Sequence, residues 1–91
     1  MEKIRTTVHI AGREYTIAST DTEAYVGRVA AWVDRRMAVL AAATRLPTAD
    51  LAVLTAVNAA DEMMKSRDDV RRLEAELDAL RDRLEKAPKD E

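Results

Sequence analysis

Val70, Leu73, Leu77, Leu80 and Leu84 recur at intervals of three and four residues. That spacing places all five on one stripe of an α-helix. Its mean step of 3.5 residues allows two such helices to wrap around each other. The residues between them are almost all Arg, Asp, Glu or Ala. A helix this polar has no core of its own to bury the stripe in, so the stripe calls for a partner helix. The chain is therefore expected to act as an oligomer that joins two or more copies of its N-terminal part.

The remaining chain is short. Of 91 residues, about 65 are left for a packed head. A head of that size is marginal alone, and association is a common remedy. Cysteine is absent, which excludes a disulfide framework and thiolate chemistry. No apolar run approaches the ~20 residues of a membrane span, and the N-terminus lacks the apolar segment of a signal peptide. The chain carries 15 basic and 17 acidic residues. Neither half is a basic patch, and the aromatics are only Tyr15, Tyr25 and Trp32, so a nucleic-acid surface is not expected.

Ile4, Thr6, Val8 and Ile10 alternate with Arg5, Thr7 and His9, the period of a strand. Gly12 interrupts the run and can supply the positive φ of a tight connection. Tyr15 and Ile17 then alternate with Glu14 and Thr16, giving a hairpin over about 3–10 and 14–18. Thr20-Asp21-Thr22-Glu23 reads as a capping box, Thr20 to Glu23. The helix that follows carries Val26, Val29, Val33, Met37 and Leu40 on one stripe, widened by Tyr25 and Trp32, and runs to about Ala43. Pro47 ends it. Thr48 reads as the N-cap of a second helix, with Asp50 near its positive end. No Gly or Pro follows until Pro88, so this helix spans nearly 40 residues, or roughly 55–60 Å. Its first half, residues 51–60, is apolar on almost every side and is expected to be buried all round. Extending the heptad backward from Val70 adds Met63, Ala59 and Ala56 to the partner-facing stripe. The expected architecture is α+β: a small ββα head (1–66), a coiled-coil half-helix (67–87) and a frayed tail (88–91).

Three segments resemble the ZapA family of bacterial cell-division proteins. Residues 8–17, VHIAGREYTI, are similar to its opening hairpin. Residues 29–37, VAAWVDRRM, are similar to its first helix, and residues 51–62, LAVLTAVNAADE, to the start of its long second helix. The resemblance covers about residues 4–66 in continuous order. It implies a ββαα chain that forms dimers, which associate in pairs through the coiled coil. It also implies a partner, the tubulin-like polymer FtsZ, which such proteins crosslink and bundle in the cytoplasm at mid-cell.

The charges flanking the seam leave helix orientation open. With Val70 at position a, Arg67, Glu74 and Arg81 occupy e, and Glu62, Asp69, Glu76 and Arg83 occupy g. A parallel pair sets Glu62 against Arg67 and Glu76 against Arg81, but also Asp69 against Glu74. An antiparallel pair centred near Asp78 sets Glu74 against Arg81 and Glu76 against Arg83. Each exposed pair contributes only a few tenths of a kcal/mol.

Candidate contact residues divide between sharp and plain readings. Arg13, at the hairpin tip, is either a forked partner for a carboxylate on the filament or a solvated turn residue. Arg45, at the helix–helix junction, belongs to the same surface or caps the first helix. Arg35 and Arg36 lie on that helix's polar side. Some relatives place more basic residues at its end; here the turn is Ala41-Ala42-Ala43, which implies a less electrostatic contact. His9 is the only histidine, and no metal site is expected around it. Asn58 and Asp61 are read as bonding hairpin backbone or each other, Met63 and Met64 as adaptable packing, and Trp32 as an anchor. No nucleophile or acid–base set points to an enzyme, and no cofactor is called for. Two functions remain: a filament crosslinker, or a coiled-coil adaptor that binds another helical protein.

Overall fold

The computed structural model describes residues 2–88. Strand β1 (Ile4–Ile10) pairs antiparallel with β2 (Arg13–Ser19). The register sets Val8 opposite Tyr15 and Thr6 opposite Ile17, so these four side chains share one face. The connection has two residues, Ala11 and Gly12, at φ 52° and 77°. Positive φ at both central positions is the hairpin turn whose twist matches the flanking strands. Gly12 takes that conformation freely, whereas Ala11 takes it at a steric cost.

A two-stranded sheet is not stable alone, and helix α1 (Glu23–Ala43) covers it. Val8, Val26 and Ala30 form the buried cluster, with Ile10 and Ile17 packed against it. The buried stripe of α1 is Val26, Ala30 and Met37, with Val33 half-buried between them. Val29, expected on that stripe, is 46% exposed. Helix α1 packs on β1, with the small side chain of Ala30 buried in the same cluster as Val8.

The helix starts are shifted from expectation. The cap of α1 is Thr22, whose hydroxyl accepts the Tyr25 amide at 3.1 Å. Thr20 and Glu23 form no capping box. The preceding turn is held instead by Ser19, whose hydroxyl accepts the Asp21 amide at 3.0 Å. At the other end Thr44 caps α1: its amide and its hydroxyl both donate to the Leu40 carbonyl, at 3.0 and 2.8 Å. That role had been one reading of Arg45. Helix α2 runs unbroken over Thr48–Lys86. Thr48 is its first helical residue rather than its cap, and the Pro47 carbonyl accepts from Asp50 and Leu51.

The chain divides into two compact units, residues 1–57 and 58–91. In the first, α2 buries only Leu51 and Thr55, one turn apart; the Thr55 hydroxyl is satisfied by the Leu51 carbonyl at 2.8 Å. Val53, Leu54 and Val57 are exposed, so the all-round burial expected of this half does not exist within one copy. Of the tail expected to fray, residues 89–91 lie outside the described residues. Among the described residues, no single helix is long and apolar enough to cross a membrane.

Thr6 is 8% exposed, and its hydroxyl has no hydrogen-bond partner. An enclosed hydroxyl without a partner loses its hydration and gains nothing. Thr6→Val keeps the shape and is expected to raise stability by about 1 kcal/mol. Urea unfolding at fixed chain concentration measures it; a loss of stability would show that the hydroxyl is partnered in solution.

Candidate protein-interaction surfaces

The seam lies uncovered on the second unit. Val70, Leu73, Leu77, Leu80 and Leu84 are 47–77% exposed, and Met63 at 46% precedes them on α2. Of the two further stripe residues, Ala56 is exposed and Ala59 half-buried. Ser66 interrupts the stripe between Met63 and Val70; from Val70 to Leu84 it is an unbroken apolar seam on an otherwise charged half-helix.

The helix holds its own charges in order. Lys65 donates to Asp61 at 2.9 Å, Arg71 to Asp68 at 3.5 Å, and Lys86 to Asp82 at 3.1 Å. Arg72 donates to Asp69 at 3.1 Å and lies 3.9 Å from Glu76. In most of these pairs the acid precedes the base, the orientation that favours a helix. Arg72 therefore stands beside two of the g-position carboxylates. It softens the repulsion that a parallel partner would bring between Asp69 and Glu74. Asp61 is held by Lys65, not by Asn58 or the hairpin. The Asp61 hydrogen bond, then its charge, raise the Lys65 ammonium above its ordinary 10.5. A raised folded value means this small contribution is complete below the unfolded value and is lost as pH rises through the folded one. It is therefore constant across neutral pH.

In the first unit, a groove of about 730 Å³ opens between the hairpin, α1 and the start of α2. Ile10, Ile17, Val33 and Met37 supply its apolar wall, and Arg13 and Tyr15 also line it. Both Arg13 and Tyr15 are exposed. The hairpin tip is fixed to α1 by one bond: the Ala11 amide donates to Asp34 Oδ1 at 2.9 Å. Asp34 carried no role in the sequence reading. Its signal was slight, a carboxylate 23 residues beyond a tight turn, and only the packed fold brings the two together.

The four candidate arginines have different surroundings. Arg13 lines the groove. Arg35 and Arg36 border a separate shallow depression with Trp32 and Val39. The Arg36 guanidinium sits 5.0 Å above the Trp32 ring, a cation–π contact that shields the half-buried indole. Arg45 is exposed in the segment between α1 and α2 and lines neither. His9 is exposed, opposite Glu14. Among the described residues, no group of three or more His, Cys, Asp or Glu side chains could hold a metal ion.

Residues 6–89 match the family model of cell division protein ZapA. The chain belongs to the ZapA family. It is 46% identical over 74 residues to cell division protein ZapA of Halalkalibacterium halodurans, covering 80% of this chain and 81% of that one. It is 44% identical over 78 residues to the Geobacillus thermodenitrificans protein of the same name, covering 82% and 84%. For Geobacillus kaustophilus ZapA the figures are 38% over 81 residues, 88% and 89%. No solved structure matches the chain. Membership assigns this ZapA-family chain a role in cell division.

If the seam is an oligomer contact, charging it removes the association. Each Leu that a partner would bury is worth about 1.5–3 kcal/mol. Leu73→Asp with Leu77→Asp is expected to lower the mass in sedimentation equilibrium and reduce helix content. An unchanged mass would place the contact elsewhere.

Proposed function

We propose that this chain is a non-enzymatic accessory protein of cell division that binds FtsZ filaments through its head and crosslinks them. The head is taken as residues 1–66 and the coiled coil as 67–87. Ala56, Ala59, Met63, Val70, Leu73, Leu77, Leu80 and Leu84 form the oligomer contact, first as a homodimer and then as a pair of dimers. Arg13 and Arg45, supported by Arg35 and Arg36, meet carboxylates of the filament. The complex acts in the cytoplasm at the mid-cell division site, without cofactor, nucleic acid or membrane insertion.

The observation that carries this reading is the uncovered seam on α2 in a chain of a cell-division family. A seam of that kind joins heads, and joining is what makes a weak head useful. One head on one filament holds weakly. Two or more heads linked by a helix raise the effective concentration of the second contact and can bridge neighbouring filaments.

The test is low-speed pelleting of GTP-assembled FtsZ from the same organism, which collects bundles and leaves single filaments in solution. The whole chain is expected to co-pellet and to raise the pelleted FtsZ. A chain ending at Arg67 is expected to bind weakly and to bundle nothing. Arg13→Glu with Arg45→Glu is expected to abolish co-pelleting with the oligomer intact. If the whole chain stays in the supernatant as an intact oligomer, it is instead a coiled-coil adaptor for another helical protein.

A further inference from the structure

We infer that Asp34 is a positioning residue for the filament contact, holding the hairpin tip against α1 so that Arg13 is presented from a fixed backbone. The inference rests on the reading that Arg13 meets the filament.

The argument starts at Ala11. In a two-residue hairpin the ladder uses the residues on either side of the turn, here Ile10 and Arg13. The amide of the first turn residue is left without a ladder partner. Ala11 also carries a methyl in the left-handed region, at φ 52°, where Gly or Asn is the usual occupant. Local geometry alone therefore holds this tip poorly. The Asp34 carboxylate, from a different element, accepts that amide at 2.9 Å. The surroundings allow the approach: beside Ala11 and Asp34, the same depression is lined by Met37, Ala38 and Ala41, two of them too small to push the turn away. Arg13 follows two residues later, at the first position of β2. A long side chain is useful as a forked contact only if its base does not wander. The Ala11–Asp34 bond removes that freedom where it would be largest, at the free end of the hairpin.

Asp34→Ala tests this in the full chain. Alanine is the best helix former, so α1 is retained. Losing one hydrogen bond of ordinary net strength is expected to free the Ala11 amide, raising its hydrogen-exchange rate about fivefold. Co-pelleting affinity for FtsZ should fall by a similar factor, with sedimentation mass and circular dichroism unchanged. Asp34→Asn retains a side-chain oxygen acceptor without the charge and should restore both readouts. In an Arg13→Ala background, Asp34→Ala should have no further effect on pelleting, because it acts through Arg13. Additive losses, or failure of Asp34→Asn to restore pelleting, would make Asp34 a direct filament contact and overturn the positioning role. Pelleting by Asp34→Ala equal to wild type would also overturn it and leave the filament reading standing. If the wild-type chain does not pellet with FtsZ, the filament reading falls, and this role falls with it.

Discussion

Everything in the first unit depends on the contact of Val8 with Val26 and Ala30. Among the described residues it is the cluster in which strand and helix both bury apolar side chains. The hairpin cannot stand without α1, and α1 has no other sheet to cover. In the same packing Val29 faces outward, Thr6 is enclosed and the hairpin tip lies within hydrogen-bond reach of Asp34. The buried apolar set among the described residues is Val8, Val26, Ala30, Met37 and Leu51, with no side chain below 2% exposure. Such a core leaves little stability in reserve. The exposed Val53, Leu54 and Val57 lie on the same unit, so the apolar surface that would complete the core is present but unburied in one copy.

Legibility in the sequence followed the range of the forces involved. The strand alternation, the long uninterrupted helix and the seam were readable because each is a period written into neighbouring residues. The end of α1 near Ala43 was readable from Pro47 for the same reason. What was misplaced depended on choice among equals. Ser19, Thr20, Asp21 and Thr22 all have cap chemistry, and local sequence does not choose among them; in the fold Thr22 takes the role. One member of the α1 stripe, Val29, was misplaced, because hydropathy ranks it above Ala30, whereas burial ranks them the other way. Asp34 and Ala11 were not readable as a pair, since no local rule links a turn amide to a carboxylate 23 residues away. Of the candidate contacts, the seam residues were placed as expected on one helix. The four arginines were legible only as exposed charge, because positive charge alone does not say which face of a fold it occupies.

The two units use opposite chemistry, and the difference bears on how a crosslinker would behave. The first unit is held by apolar contacts and a few fixed hydrogen bonds. The second is supported along its length by exposed i,i+3 and i,i+4 ion pairs, each individually weak and weakened further by salt. Those pairs keep the helix formed without committing its g-position carboxylates wholly to a partner. Association through the seam would then be driven by leucine burial, which salt does not weaken, with charge deciding orientation. Contact between arginines and a filament would follow the opposite rule and weaken as ionic strength rises. Joining heads and gripping filaments are therefore separable by salt: raising it should release the proposed crosslinker from filaments before its oligomer dissociates.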